Sequence, residues 1–131
     1  MPHWNPIQYE RFIKGRTQPA IDLANRLETL NPDNILDLGC GPGNSTKVLK
    51  DKFPNSHIIG ADNSEDMLKK AVELYPYIEF IKLDANGDLN EISDKFDIVF
   101  SNACILWLPN HRELLPNMMK LLKQNGILSI Q

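Results

Sequence analysis

Acidic residues and glycines cluster where the first strongly apolar stretch of the chain ends. Within Asn34–Asn44, Asp37 stands two residues before Gly39, and Gly41 and Gly43 follow at alternate positions. Glycines at this spacing let the backbone turn tightly and approach a ligand closely, because no Cβ stands in the way. A carboxylate beside the turn would repel a phosphate, so the pattern favours a ligand whose nearby group is cationic.

A second acid follows the next apolar stretch. Asp62 lies about 20 residues beyond Gly39, where a carboxylate at a strand end bonds the ribose hydroxyls of an adenosine. S-adenosyl-L-methionine joins an adenosine to ammonium and sulfonium groups. The two acids together therefore predict this cofactor, with S-adenosyl-L-homocysteine as the product. A phosphate-binding loop is excluded, since no Gly-Lys-Ser/Thr follows the glycines. Two alternatives stay open: the glycine turn serves packing alone, or Asp62 caps the next helix, although Ser64 is placed to do so.

The flanking residues predict a strand before the glycine turn and a helix after it. Ile35, Leu36 and Leu38 suit a short buried strand. Asn44 and Ser45 are both good helix N-caps, and the helix N-terminus would then point at the ligand.

Further strands are predicted at 56–62, 77–83 and 96–100, with a fifth beginning at Ile127 after a helix that Gly126 closes. The apolar face of the helix after Ser64 is predicted from Met67, Leu68, Ala71 and Leu74. Strands that alternate with helices predict an α/β, Rossmann-like, doubly wound and mostly parallel sheet.

Ligands of such sheets lie outside the carboxyl ends of the strands, where the strand order reverses. The residues at these ends are therefore the candidate cofactor contacts. Asp84 is the candidate for adenine N6, with loop solvation as the alternative, and Met67 either reaches the adenine or packs in the core. The full set is Asp37, Gly39, Cys40, Gly41, Gly43, Asn44, Asp62, Asn63, Met67, Asp84, Ala85 and Asn102.

Two helices are predicted ahead of the first strand, at about 5–15 and 17–30. The second carries an apolar stripe of Ala20, Leu23, Ala24, Leu27 and Leu30. We interpret 1–33 as a helical lid and 34–131 as the Rossmann-like core of a single domain. Arg11 or Arg16 on the lid could face an acidic acceptor; Trp4 and Tyr9 could instead be core anchors only.

Composition excludes several classes of protein. A chain of 131 residues with a net charge of −3 has room for one domain and carries no electrostatic footprint for nucleic acid. Cys40 and Cys104 are too few for a disulfide framework, no His/Cys spacing suggests a metal site, and no apolar run suggests a membrane span. A cytoplasmic protein with reduced thiols is the expectation.

The motif from Asp37 to Thr46 resembles the first motif of class I S-adenosylmethionine-dependent methyltransferases. Within that family the finer resemblance is to the trans-aconitate methyltransferases, and it runs the full length of this chain. It includes Trp4-Asn5-Pro6, Tyr9, Phe12, Arg16, Pro19 and Ala20, then Gly60, Asp62, Ser64 and Met67, then Asn102-Ala103, Trp107, Pro109, His111, Gly126, Leu128 and Gln131. Two departures are a missing tryptophan around 87–90 and the absence of a second, acceptor-binding half.

The resemblance implies a strand order of 3-2-1-4-5 with the last strands missing, and methylation of a carboxylate of a small polycarboxylic acid such as trans-aconitate. It implies Asn102 and Trp107 at the mouth where methyl transfer occurs, and Arg16 on the acceptor side. No general base is assigned. Self-association is expected through the exposed edge of the fifth strand. The alternatives are a nucleoside-binding fragment or pseudoenzyme, a methyltransferase for another small molecule, and an NAD-dependent oxidoreductase.

Overall fold

The structure, a computed structural model, describes residues 18–27, 30–83, 95–101 and 116–130. Five strands lie in these ranges: β1 (Asn34–Leu38), β2 (His57–Asp62), β3 (Glu79–Lys82), β4 (Phe96–Ser101) and β5 (Leu122–Ile130). The described helical segments are α1 at 18–25, α2 (Asn44–Lys52), α3 (Glu65–Leu74) and the short α4 at 116–119. None of the described helices is long and apolar enough to span a membrane.

The five strands form one parallel sheet in the order β3-β2-β1-β4-β5. This confirms the predicted strand order and the Rossmann-like class. The chain winds from β1 to β3 in one direction and resumes at β4 on the other side of β1, so the order reverses between β1 and β4. The crevice at the carboxyl ends of β1 and β4 is therefore the expected ligand position. Among the described strands β5 forms one edge of the sheet; the self-association expected through it stays a prediction.

Strand β1 is buried on both faces, as a central parallel strand must be. Ile35 belongs to the core on the face that α1 and α2 cover, whereas Leu36 belongs to the core on the opposite face. The first core also holds Ala20, Leu23, Ala24, Leu27, Leu49, Phe53, Ile58, Ile98 and Phe100. The second holds Leu38, Ile59, Ala61, Leu83, Phe96, Val99, Met118 and Leu121.

Helix α1 confirms the apolar stripe predicted for the second N-terminal helix. Ala20, Leu23, Ala24 and Leu27 are buried against the sheet, with Leu30 packed beside them. This part of the predicted lid segment therefore belongs to the core of the domain. The first predicted helix lies outside the described residues.

Two boundaries predicted near the end of the chain are wrong. The helix expected to close at Gly126 is helical only at 116–119 within the described range, and β5 already begins at Leu122. Leu122 pairs with Phe96, residues 123–126 bulge out of the ladder, and pairing resumes between Ile127 and Ile98. Asn125 has a φ of 67°, and a Cβ on Gly126 would lie 2.9 Å from the Lys123 carbonyl oxygen. Gly126 therefore permits a bulge rather than ending a helix.

The apolar face of α3 is narrower than predicted. Ala71 is buried and Met67 and Leu68 are half-buried, but Leu74 is 56% exposed. Helix α3 packs over β2 and β3 at the edge of the sheet. Its last turn finds less cover there than a helix over central strands would.

The amino end of the sheet is fixed by Asp97. Its Oδ2 accepts hydrogen bonds from the backbone N–H groups of Asp33 and Asn34, both at 2.9 Å, and from the Lys123 ammonium at 3.1 Å. Burial of this carboxyl, which raises its pKa, is outweighed by the bonds from Asn34, Lys123 and Asp33, so the pKa lies below the ordinary aspartate range.

Asp97→Asn is expected to lower the free energy of unfolding by about 1–3 kcal/mol at pH 7, because the charged acceptor is lost. A carboxyl whose pKa is lowered by folding stabilises the folded state at a pH above its pKa in the unfolded chain. This stabilisation is lost as the pH falls through the pKa of the folded state. The difference between wild type and variant should therefore narrow as the pH drops below about 3.9. Urea denaturation across pH measures this, with the exposed Asp51→Asn as control. A difference that grows in acid would contradict it.

Candidate functional site

The glycine turn joins β1 to α2 and is tied to the carboxyl end of β2. Gly39, Gly41 and Gly43 all have positive φ angles, of 78°, 56° and 97°. The N–H groups of Gly39 and Cys40 both donate to the carbonyl oxygen of Ala61, at 2.7 and 2.9 Å. The alternating glycines are therefore required by the left-handed backbone of the turn.

Two of these glycines have different surroundings. A Cβ on Gly43 would lie 2.9 Å from Cδ2 of Tyr75 and 3.1 Å from Cζ of Phe80, so close packing as well as the left-handed φ requires a glycine here. Among the residues that the structure describes, and apart from its two chain neighbours, no atom would lie within 4 Å of a Cβ on Gly41. The packing interpretation therefore fits Gly43, whereas Gly41 borders space that a ligand could fill.

Asp62 connects the glycine turn to the start of α3. Its Oδ2 accepts from the Gly41 N–H at 2.8 Å, and its Oδ1 accepts from the Ser64 N–H at 2.9 Å. Ser64 is the N-cap of α3, with its side chain accepting from the Met67 N–H, which confirms the predicted cap. A carboxylate has about four lone-pair positions, so these two bonds leave room for further donors.

Asp37 lies beneath the turn and is only 1% exposed. Its Oδ2 accepts from the hydroxyls of Ser45 at 2.6 Å and Thr46 at 2.8 Å, in the first turn of α2. The predicted side-chain cap of this helix by Asn44 or Ser45 is wrong: Gly43 is the N-cap, and no side chain caps the helix. Asp37 therefore holds the end of β1 to the start of α2.

The pKa of the Cys40 thiol is affected by burial and by the carboxylates near the turn. Burial raises the pKa of this thiol, and the carboxylates of Asp37 and Asp62 raise it further. Cys40 is 4% exposed and its Sγ lies 3.5 Å from the Gly41 carbonyl oxygen. The two carboxylates that add to this rise in the pKa would favour a positively charged ligand above the turn.

Of the remaining predicted cofactor contacts, some lie within the residues that the structure describes and some lie outside them. Asn44 opens α2 and is half-buried, Asn63 is exposed directly after Asp62, and Met67 is half-buried in the first turn of α3. These three surround the turn and Asp62. Asp84, Ala85 and Asn102, with Arg11, Arg16 and Trp107, lie outside the described residues. Within the described ranges no group of three or more His, Cys, Asp or Glu side chains could hold a metal ion.

Two hydroxyl residues that fix the site were not predicted as part of it. Thr46, the last residue of the motif that resembles the methyltransferase family, is fully buried and bonded to Asp37. Ser101, also fully buried, donates to the Leu38 carbonyl oxygen at 3.0 Å and holds the end of β4 beside the turn. For Thr46 the available signal was a hydroxyl at a position where helical spacing favours an apolar side chain.

Similar proteins are found by sequence. Trans-aconitate 2-methyltransferase of Escherichia coli O157:H7 (strain EC4115 / EHEC) is 39% identical over 131 residues, which cover 100% of this chain and 51% of that protein. The protein of the same name from Enterobacter sp. (strain 638) is 40% identical with the same two shares. The chain thus spans about half the length of the curated relatives it matches.

Solved structures agree in fold. CalS10, described as an amino pentose methyltransferase from Micromonospora echinaspora with SAM bound, superposes with a TM-score of 0.78 at 23% identity, over 99% of this chain and 57% of its own. An S-adenosylmethionine-dependent methyltransferase from Clostridium acetobutylicum ATCC 824 gives 0.77 at 24%, over 93% and 53%. The family model described as "Methyltransferase domain" matches residues 35–126, which include all of β1 but its first residue, the glycine turn and Asp62. The chain belongs to the methyltransferase domain family.

Proposed function

We propose that the chain binds S-adenosylmethionine at the carboxyl ends of β1 and β2, and that it is part of an enzyme that methylates a carboxylate of a small polycarboxylic acid. One observation carries the proposal. Asp62 reaches across to the Gly41 N–H and keeps acceptor positions beside the open space at Gly41. A ribose bonded to Asp62 would lie next to a turn whose carboxylates favour a cation.

Different residues of the site would contact different parts of the cofactor. Asp62 would accept from the ribose hydroxyls, and Asn63 and Met67 would lie along the adenine. Asp37 is buried, so it would act on the ammonium of the methionine end through the backbone of the glycine turn and not by direct contact. Asp84 and Ala85 are retained as proposed contacts of the adenine, and Asn102 as a proposed cofactor contact at the mouth where methyl transfer occurs.

The reaction needs little acid–base help from the chain. When bound, the cofactor would supply a methyl group on a positively charged sulfur; an O–CH3 bond to the acceptor would form as the S–CH3 bond breaks, with S-adenosylhomocysteine as the leaving group. A carboxylate acceptor is already ionised at neutral pH, so no general base has to remove a proton from it. The work of the protein is then to align the acceptor and exclude water.

The names of the relatives support an acidic acceptor. Arginine would pair with an acceptor carboxylate in bidentate fashion, and Arg16 or Arg11 is proposed for that role, with Trp107 at the transfer mouth.

Transfer of radiolabel from S-adenosylmethionine to trans-aconitate tests the proposal. A labelled methyl ester is expected, and saturated or monocarboxylic analogues offered in parallel define the acceptor class. Binding without transfer to any acid would identify a nucleoside-binding unit instead. A thermal-shift comparison separates the oxidoreductase alternative: S-adenosylhomocysteine should raise the melting temperature and NAD should not.

Gly41→Ala and Gly43→Ala are expected to act on different properties. At Gly41 the added methyl enters open space, so the left-handed φ costs about 1 kcal/mol of stability while affinity for S-adenosylhomocysteine falls at least tenfold. At Gly43 the methyl meets two aromatic rings, and stability should fall by roughly 2–4 kcal/mol. Urea denaturation and calorimetry on the pair measure this. Equal losses of stability in the two variants would contradict the assignment.

A further inference from the structure

We propose that Phe80 is a positioning residue for the glycine turn: its ring supports the N-terminus of α2 from the neighbouring edge strand. The inference rests on the proposed function in one respect, since it takes the turn to be the place where the cofactor binds. The evidence comes from how three parallel strands align beneath the turn.

Phe80, Gly60 and Asp37 form one row across the sheet. Phe80 of β3 pairs in register with Gly60 of β2, and Gly60 pairs with Asp37 of β1. Paired residues on adjacent strands point to the same face. Asp37 bonds two hydroxyls of α2, so this is the face that α2 covers.

Gly60 makes the space that the Phe80 ring fills. A Cβ on Gly60 would lie 2.6 Å from Cδ1 and 2.7 Å from Cε1 of Phe80, and 3.0 Å from Oγ1 of Thr46. No real side chain fits at such distances. The ring thus leans across β2 toward the helix, and the glycine in the row is required by the aromatic residue beside it.

The tip of the same ring reaches the N-cap of α2. Cζ of Phe80 lies 3.1 Å from the position of a Cβ on Gly43, and Tyr75 lies on the same spot at 2.9 Å. Gly43 begins the helix and ends the turn. The first turn of α2 is therefore held at two points on either side of Gly60, by hydrogen bonds to Asp37 and by contact with Phe80.

The contact between Phe80 and Gly43 also affects the backbone N–H groups on the side of the turn where the ligand is proposed to bind. Gly43 donates its N–H to the Cys40 carbonyl oxygen at 3.1 Å, and Gly41 between them donates to Asp62. If the helix start sinks toward the sheet, the Gly41 N–H moves relative to Asp62. Displacements of about 1 Å at a binding site have large effects on function.

Phe80→Val tests the role, because valine keeps a strand-compatible side chain but cannot reach Gly43. We expect the amides of Gly41 and Gly43 to exchange with deuterium at least tenfold faster, after correction for global stability. Affinity for S-adenosylhomocysteine should fall about five- to tenfold. The matched control is Phe53→Val at the other end of α2, where Phe53 is 7% exposed. It should destabilise the protein and change neither the corrected exchange rates nor the affinity.

A second pair of variants checks the steric part. Gly60→Ala should destabilise strongly, and Gly60→Ala with Phe80→Val should recover most of that stability without recovering turn protection or affinity, because the ring tip is still missing. A double variant no more stable than Gly60→Ala, or a Phe80→Val variant whose corrected exchange matches that of Phe53→Val, overturns the proposal. Wild-type protein that fails to bind S-adenosylhomocysteine would overturn the proposed function alone, since the exchange rates still decide the role of Phe80.

Discussion

Asp62→Ala is expected to weaken binding of S-adenosylhomocysteine by ten- to a hundredfold. Hydrogen bonds to a charged acceptor are worth about 1.5–3 kcal/mol each, and each 1.4 kcal/mol is a tenfold change in affinity. The substitution also releases the Gly41 and Ser64 N–H groups that Asp62 now accepts from. Isothermal titration calorimetry gives the affinity, and thermal unfolding shows whether the variant remains folded.

Two companion variants sharpen this prediction. Asp62→Asn keeps the shape of the side chain but turns an amide NH2, which cannot accept a hydrogen bond, toward one of the two N–H donors. It should therefore lose almost as much affinity as the alanine variant. Asp66→Ala removes an exposed carboxylate in the first turn of α3 and should bind normally. Unchanged affinity in Asp62→Ala would exclude the ribose role.

Asp37→Ala is expected to have the largest effect on stability, lowering the free energy of unfolding by about 3 kcal/mol or more. The hydroxyls of Ser45 and Thr46, 5% and 0% exposed, would lose the acceptor they share. A buried polar group without a partner costs about 1–3 kcal/mol, and a cavity adds to this. Chemical denaturation measures the loss.

Two other aspartate variants distinguish the loss of the buried hydrogen bonds to Asp37, which tether β1 to α2, from the effect on stability of removing any negative charge. Asp37→Asn keeps an oxygen that can accept from both hydroxyls and should lose clearly less stability than the alanine variant. Asp51→Ala removes an exposed partner of Lys47 on the same helix and should cost less than 1 kcal/mol. An Asp37→Ala variant within 0.5 kcal/mol of wild type would show that the tether contributes little.

The sheet was predictable because its signals are local. The short apolar run at Ile35, Leu36 and Leu38, and the glycine or acid that ends the first two runs, mark buried parallel strands whatever the tertiary context. The end of the chain was less predictable, because Leu121 and Leu122 suit a helix or a strand equally. Only pairing with Phe96, followed by a bulge that Gly126 permits, selects the strand.

Which described residues lie at the glycine turn could be predicted from the sequence, but their individual contacts could not. Spacing indicates that Gly41 and Gly43 share a turn, yet it cannot tell that one borders open space and the other two rings. Likewise, spacing places Thr46 on the buried face of α2 without revealing that its partner is the carboxylate of Asp37. Such differences arise from contacts between segments distant in sequence, which composition and periodicity do not encode.

The central claim is that an adenosine bearing a cationic amino acid lies over the glycine turn with its ribose on Asp62. A crystal structure with S-adenosylhomocysteine tests this most directly. We predict both ribose hydroxyls within about 3 Å of the Asp62 carboxylate and the homocysteine chain across the space beside Gly41. A ligand found elsewhere on the sheet, or bound with its ribose turned away from Asp62, would contradict the account.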